Sequence, residues 1–161
     1  MRLSLPVSNS LAATGLITSP LGSKGRQLSA GISWRHHELP MQILVERRVA
    51  LDHVARNAFS LTAVTGVYDV ALGKKWRLDS YTQAGMVGAR SRDKFADTAI
   101  SVARPVARKT EAGFSIWAAV QPGVHRVDIG PVVEFDVKPV RIALSWRQRI
   151  AGSAAPGSGP A

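Results

Sequence analysis

Four pairs of charged residues stand at even spacing inside apolar runs: Glu46 and Arg48, Arg77 and Asp79, Asp128 and Glu134, Arg147 and Arg149. An even interval puts both members of a pair on one face of a β-strand, because successive side chains point to opposite sides. Opposite charges on one face can pair across neighbouring strands, which fixes register and fills an interior. A surplus of arginine on the same face would make it prefer anions. Arg147 and Arg149 are expected to meet Asp128, Glu134 or Asp136 on the neighbouring strand. This charged ladder is the constellation on which function is expected to rest, and neither of its roles is catalytic.

The catalytic alternatives are poorly supplied. Cysteine is absent, so there is no thiolate nucleophile, disulfide framework or cysteine zinc site. Serine, His125 and Asp128 are present, but no Gly-x-Ser-x-Gly nucleophile elbow occurs. His36 and His37 are adjacent, and in a strand they would point to opposite faces, a poor arrangement for chelation. They read as a solvated loop pair. His53 lies beside Asp52 in a turn with no second ligand pair, and His125 follows Pro122-Gly123 at a strand mouth. Gly85-Met86-Val87-Gly88 lacks a P-loop lysine and a following helix. Gly22-Ser23-Lys24-Gly25-Arg26 is a cationic turn, read first as solvated and second as a contact for lipopolysaccharide phosphate. No catalytic, cofactor or metal residue is expected, and the chain does not read as an enzyme.

The elements that must position the ladder follow from period two. Val127, Ile129, Val133, Phe135 and Val137 share a face with Pro131, while Asp128, Gly130, Glu134 and Asp136 oppose them. Val140, Ile142, Leu144, Trp146 and Ile150 alternate with Arg141, Ser145, Arg147 and Arg149. Lys138-Pro139 between the two runs predicts a hairpin. Similar alternation covers 27–35, 59–68, 76–86 and 114–121, and more weakly 41–49 and 96–106. Turn residues separate the runs at Glu38-Leu39-Pro40, Gly73-Lys74-Lys75, Ser91 to Lys94, Glu111-Ala112-Gly113 and Pro122-Gly123. The fold expected is all-β, an antiparallel up-and-down meander of about nine strands over 1–152, with a disordered Gly/Pro/Ser/Ala tail at 153–161.

Strands of roughly 9–13 residues suit a membrane barrel, which needs about 9–11 residues per crossing, whereas soluble strands average nearer 5–6. Mid-strand charges of both signs suit a wet lumen. A partial or complete transmembrane β-barrel is therefore expected, with lipid bilayer and lipopolysaccharide as partners. Trp34, Trp76 and Trp146 fall on the apolar parity and Trp117 on the other. No apolar run is long enough for a transmembrane helix, and no signal peptide is recognisable. The chain is therefore expected to be a piece of a larger barrel, the remainder missing. The formal net charge of +10 raises nucleic acid as a partner. The basic residues are scattered and often stand beside an acid, so no nucleic acid is expected. Two other classes compete with the membrane barrel. One is a soluble β-barrel with its apolar face inward, binding a small apolar or anionic ligand. The other is a basic nucleic-acid-binding module.

A set of segments also carries a resemblance. It comprises Leu44 to Leu51 followed by Arg56 to Ala63, Arg77-Leu78-Asp79-Ser80-Tyr81-Thr82-Gln83-Ala84-Gly85, Gln121 to Val124 with Arg126 to Pro131, and Trp146-Arg147-Gln148-Arg149-Ile150-Ala151-Gly152. Together they resemble the C-terminal barrel region of outer-membrane proteins of sphingomonad-type alphaproteobacteria, often fused behind tetratricopeptide repeats. More distantly they are similar to the outer-membrane subunit of cellulose-synthase operons and to phage-adsorption receptor barrels. The resemblance covers most of 26–152 and encodes no known chemistry. It implies the outer membrane of a Gram-negative cell and a porin-like or export role, with an exported polysaccharide as the molecule carried. On that reading, a surplus of arginine on this face would favour an acidic polysaccharide.

Overall fold

The structure, a computed structural model, describes residues 2–19, 26–53, 57–88, 92–137, 140–155 and 157–161. Every regular element among them is a strand: β1 Arg2–Pro6, β2 Leu11–Thr18, β3 Gln27–Arg35, β4 Met41–Ala50, β5 Ala58–Leu72, β6 Trp76–Val87, β7 Asp93–Ala107, β8 Thr110–Gln121, β9 Val124–Val137, β10 Val140–Gly152 and β11 Gly159–Pro160. Neighbours in sequence are neighbours in the sheet from β1 to β11. The expected antiparallel up-and-down meander is what the chain forms. The strands number eleven rather than about nine. β1, β2 and β11 escape a periodicity search because they are short or built from small residues with little contrast between faces.

Several boundaries also move. Glu111, Ala112 and Gly113, read as a turn, belong to β8, and the chain reverses at Arg108 and Lys109 instead. The Lys138-Pro139 turn, most of the Gly22 to Arg26 turn and Ser91 lie outside the described residues. Gly159–Pro160, in the tail, lies beside Trp146 and Arg147 of β10.

Two compact units divide the chain: Met1–Thr65 with Gln83–Lys94, and Gly66–Thr82 with Phe95–Ala161. In the first, register lines residues up in rows across β2 to β5. Thr14, Gly31, Glu46 and Ser60 form one row of one face, and Ala13, Ile32, Val45 and Leu61 form a row of the other. In the second, Ala99, Trp117, Asp128 and Arg149 align across β7 to β10, as do Pro105, Glu111, Glu134 and Ala143. The opposite face carries the row Ile100, Ile116, Ile129 and Gln148.

Burial assigns the two faces, and it does so in the reverse of the usual sense for a water-soluble sheet. The polar parity is buried: Ser29 1%, Ser33 2%, Glu46 3%, Ser60 3%, Arg77 6%, Ser115 3% and Asp128 1% exposed. Leu44, Ala103 and Val132 are the buried apolar residues among those described. The apolar parity is exposed, with Ile32, Phe59, Phe114, Leu144 and Ile150 each more than half accessible.

Two glycines make the buried face possible. A Cβ at Gly31 would overlap the Val45 carbonyl, and one at Gly130 would overlap the Trp146 carbonyl. The β9–β10 ladder is also interrupted. It runs from Val137↔Val140 to Val132↔Ser145, then resumes at Ile129↔Gln148. Pro131 lies in the gap and has no N–H to donate.

Gly31→Val should therefore destabilise the fold by about 2 kcal/mol, because backbone rather than a flexible side chain must give way. The check is the urea midpoint of the refolded protein in detergent. A midpoint equal to wild type would show that β3 and β4 can separate at that row without cost.

Candidate functional site: the charged buried face

In the second unit one guanidinium gathers carboxylates from four strands. Arg77 on β6 places Nη2 at 3.1 Å from Asp79 Oδ2, 2.7 Å from Glu111 Oε2 on β8 and 2.6 Å from Glu134 Oε2 on β9. Its Nε lies 3.8 Å from Asp69 Oδ1 on β5. Arg141 on β10 adds a second cation, with Nη1 3.7 Å from Glu134 Oε2. The Tyr68 ring faces both arginines, 5.9 Å from the Arg77 Cζ and 5.2 Å from that of Arg141.

Local structure explains this convergence. Glu111 and Glu134 are direct register partners, and like charges directly opposite destabilise a ladder. Arg77 lies against both and offsets that repulsion. Asp69 has a φ of +58°, a left-handed conformation that Asp tolerates better than most residues. Its own N–H donates to Asp79 Oδ1 at 2.7 Å, which holds the irregular backbone in place.

A second cluster lies further along the same face of this unit. Asp128 accepts from Arg126 Nε at 2.5 Å, a same-strand pair two residues apart. Arg149 is the register partner of Asp128, and it also donates from Nη2 to the Ala154 carbonyl. Arg147 places its Cζ 4.4 Å from the centre of the Trp117 ring, a cation–π contact. Ser115 and Gly130 are register partners, so the route from β10 towards β8 passes a position without a side chain. A cavity of about 280 Å³ borders the cluster, and Tyr81, Asp97, Trp117, Arg126, Asp128 and Arg147 are among its lining residues.

The first unit carries the remaining pair. Glu46 is buried. Arg48 donates from Nε to Ser60 Oγ at 3.2 Å, and that hydroxyl reaches the Glu46 carbonyl at 3.4 Å. The structure thus brings together Arg77, Asp79 and Glu134 in one cluster, Asp128 with Arg149 in register in a second, and Glu46 near Arg48 in a third. Arg147 meets an aromatic ring rather than a carboxylate.

Four charged members of these clusters stand outside the ladder read from the sequence: Asp69, Glu111, Arg126 and Arg141. Glu111 shares parity with Gly113, Ser115 and Trp117, so extending the β8 alternation towards its start would have found it. Asp69 carries no such signal, because its backbone leaves the regular strand conformation. The histidines are placed as loop and surface groups. His36 Nδ1 accepts the N–H groups of Glu38 and Leu39 at 3.1 and 3.0 Å, closing the β3–β4 loop. His53 and His125 are exposed. Among the described residues no group of three or more His, Asp or Glu side chains is arranged to hold a metal ion.

Replacing Arg77 by Gln should leave Glu111 and Glu134 opposed without a cation and lower stability by about 3 kcal/mol. Adding Glu134→Gln should recover at least about 1 kcal/mol of that loss. Urea melts of the three variants in detergent close the cycle, and strictly additive losses would show that the two groups do not depend on each other. No protein-family model, curated protein or solved structure matches the chain.

Proposed function

We propose that this chain is a membrane-spanning β-segment of outer-membrane type that forms part of the wall of a pore or export channel and performs no catalysis. The observation that carries this reading is the reversal of faces: the sheet buries serines, arginines and carboxylates and exposes rows of Leu, Ile, Val, Phe and Trp. In water such contiguous apolar surface is disfavoured, and soluble proteins rarely present it. Against lipid it is the required surface, with the polar face turned to a lumen.

Strand length supports the same reading. β4 to β10 contain 10 to 15 residues each, enough for a tilted crossing of about 9–11 residues. The outer membrane of a Gram-negative cell, lipopolysaccharide as a neighbour and a polysaccharide as cargo are proposed on the resemblance of the segments quoted above. The remainder of a larger barrel would complete the wall. A soluble ligand-binding barrel needs the apolar parity inside, and burial favours the opposite.

Fractionation of expressing cells, with gel migration before and after boiling, tests the assignment. Recovery in the outer membrane with heat-modifiable migration is expected. A protein that stays monomeric and soluble without detergent would end the membrane reading. The role of the arginines has its own test. Arg147→Glu with Arg149→Glu should turn an anion-preferring conductance towards cations in planar bilayers. Unchanged selectivity would leave these side chains a purely structural role.

A further inference from the structure

Among the described residues, the charged side chains on the exposed parity of the strands are few and of one sign. Arg47 on β4 shares its parity with Ile43, Val45 and Val49. Its register partners are Ala30 and Phe59. Arg104 on β7 shares the parity of Ile100 and Val102. Lys94, at the second position of β7, is the third cation of this face. The eleven carboxylates of the chain lie elsewhere: Glu38 and Asp52 in loops, Asp69 in the Arg77 cluster, and the rest on the buried parity of their strands.

Both arginines are stacked on exposed aromatic rings. The Arg47 Cζ lies 4.7 Å from the centre of the Phe59 ring, and the Arg104 Cζ lies 5.4 Å from that of Trp76. Phe59 is 57% and Trp76 41% exposed. Each arginine stands three residues from the end of its strand, Ala50 and Ala107. A guanidinium held over a ring keeps its N–H donors for a further partner. A flat fork of N–H donors matches the geometry of a phosphate. A lone cation in a lipid-facing row is costly at the bilayer midplane and nearly free at the headgroup level.

We propose that Arg47 on Phe59, and Arg104 on Trp76, are two binding sites for the phosphate of anionic lipid headgroups. The proposal rests on the membrane reading and adds to it the chemistry of the lipid. The ring lies against the upper acyl chain and ester region while the guanidinium takes the phosphate. Sign supports this choice, because an anionic partner surface explains why carboxylates are missing from the face and cations are not.

The test is partition of the full chain from dilute detergent into vesicles of phosphatidylcholine alone, or with one third phosphatidylglycerol. Wild type should prefer the anionic vesicles. Arg47→Gln should reduce that preference about fivefold, and the double variant with Arg104→Gln about 30-fold, as expected for basic residues at a charged bilayer surface. The variant Lys74→Gln with Lys75→Gln removes the same charge from the exposed β5–β6 turn and should keep most of the preference. Equal losses in the two double variants would overturn the proposal, since net charge alone would then account for binding. Wild type that partitions equally into both vesicle types would overturn it too, and would leave the membrane reading standing. Wild type that enters neither vesicle would overturn both.

Discussion

Two carboxylates facing each other across a strand pair, on a largely buried face, repel unless a cation lies against them. Glu111 and Glu134 are placed that way by the β8–β9 register, and the side chain that makes the register tolerable comes from β6. Arg77 therefore ties together strands far apart in sequence through one nitrogen shared by three carboxylates. A slip of one residue between β8 and β9 would turn one glutamate to the exposed face. It would also leave the guanidinium short of a partner. The charge cluster thus specifies register as well as filling space.

Apolar burial cannot be what organises such a sheet, because the apolar residues are the exposed ones. What remains is the hydrogen-bond ladder, the pairing of buried polar groups and the close approach of backbones. The serines and glycines serve the last of these. Ser115 donates to Ser101 at 2.8 Å, while Gly31 and Gly130 let a neighbouring carbonyl come closer than any side chain would permit. Long side chains then cross the space that the small ones leave. Arg147 reaches the Trp117 ring this way and sets its cation over an aromatic face.

Alternation made the fold legible because the two faces differ sharply in chemistry from β3 onward. Where they do not differ, as in Leu11–Thr18, the strand was invisible. The polar members of the ladder were readable for the same reason, since Arg77, Asp79, Asp128 and Glu134 interrupt apolar runs at even spacing. The further partners Glu111 and Asp69 are not. Cross-strand distances depend on register and on turns, and the turn-forming residues Glu111-Ala112-Gly113 point to a reversal there, whereas the chain turns at Arg108 and Lys109. Asp69 depends on a left-handed backbone position that no pattern of residue types announces. Period two separates two faces but does not say which is buried. Burial makes that distinction, with Ser29, Glu46, Arg77 and Asp128 all buried.

Pro131 interrupts the ladder between β9 and β10, and the interruption divides one long hairpin into two short ones. Val132–Val137 with Val140–Ser145 is a near-turn zipper of local contacts, while Arg126–Ile129 with Gln148–Gly152 closes a much longer loop. Across the gap β9 stays paired with β8, from Thr110↔Phe135 to Gln121↔Val124. At the break, the free edge of β10 is covered by Gly159–Pro160, and Ser145 and Ala161 exchange backbone hydrogen bonds at 2.9 Å in both directions. The tail therefore lies where the hairpin holds itself least. In time rather than in space, pairing Val137 with Val140 closes a short loop and pairing Arg126 with Gly152 a long one, and the entropy cost of closure grows with length. Amide exchange would see this as two separate opening units within what looks, strand by strand, like a single pair.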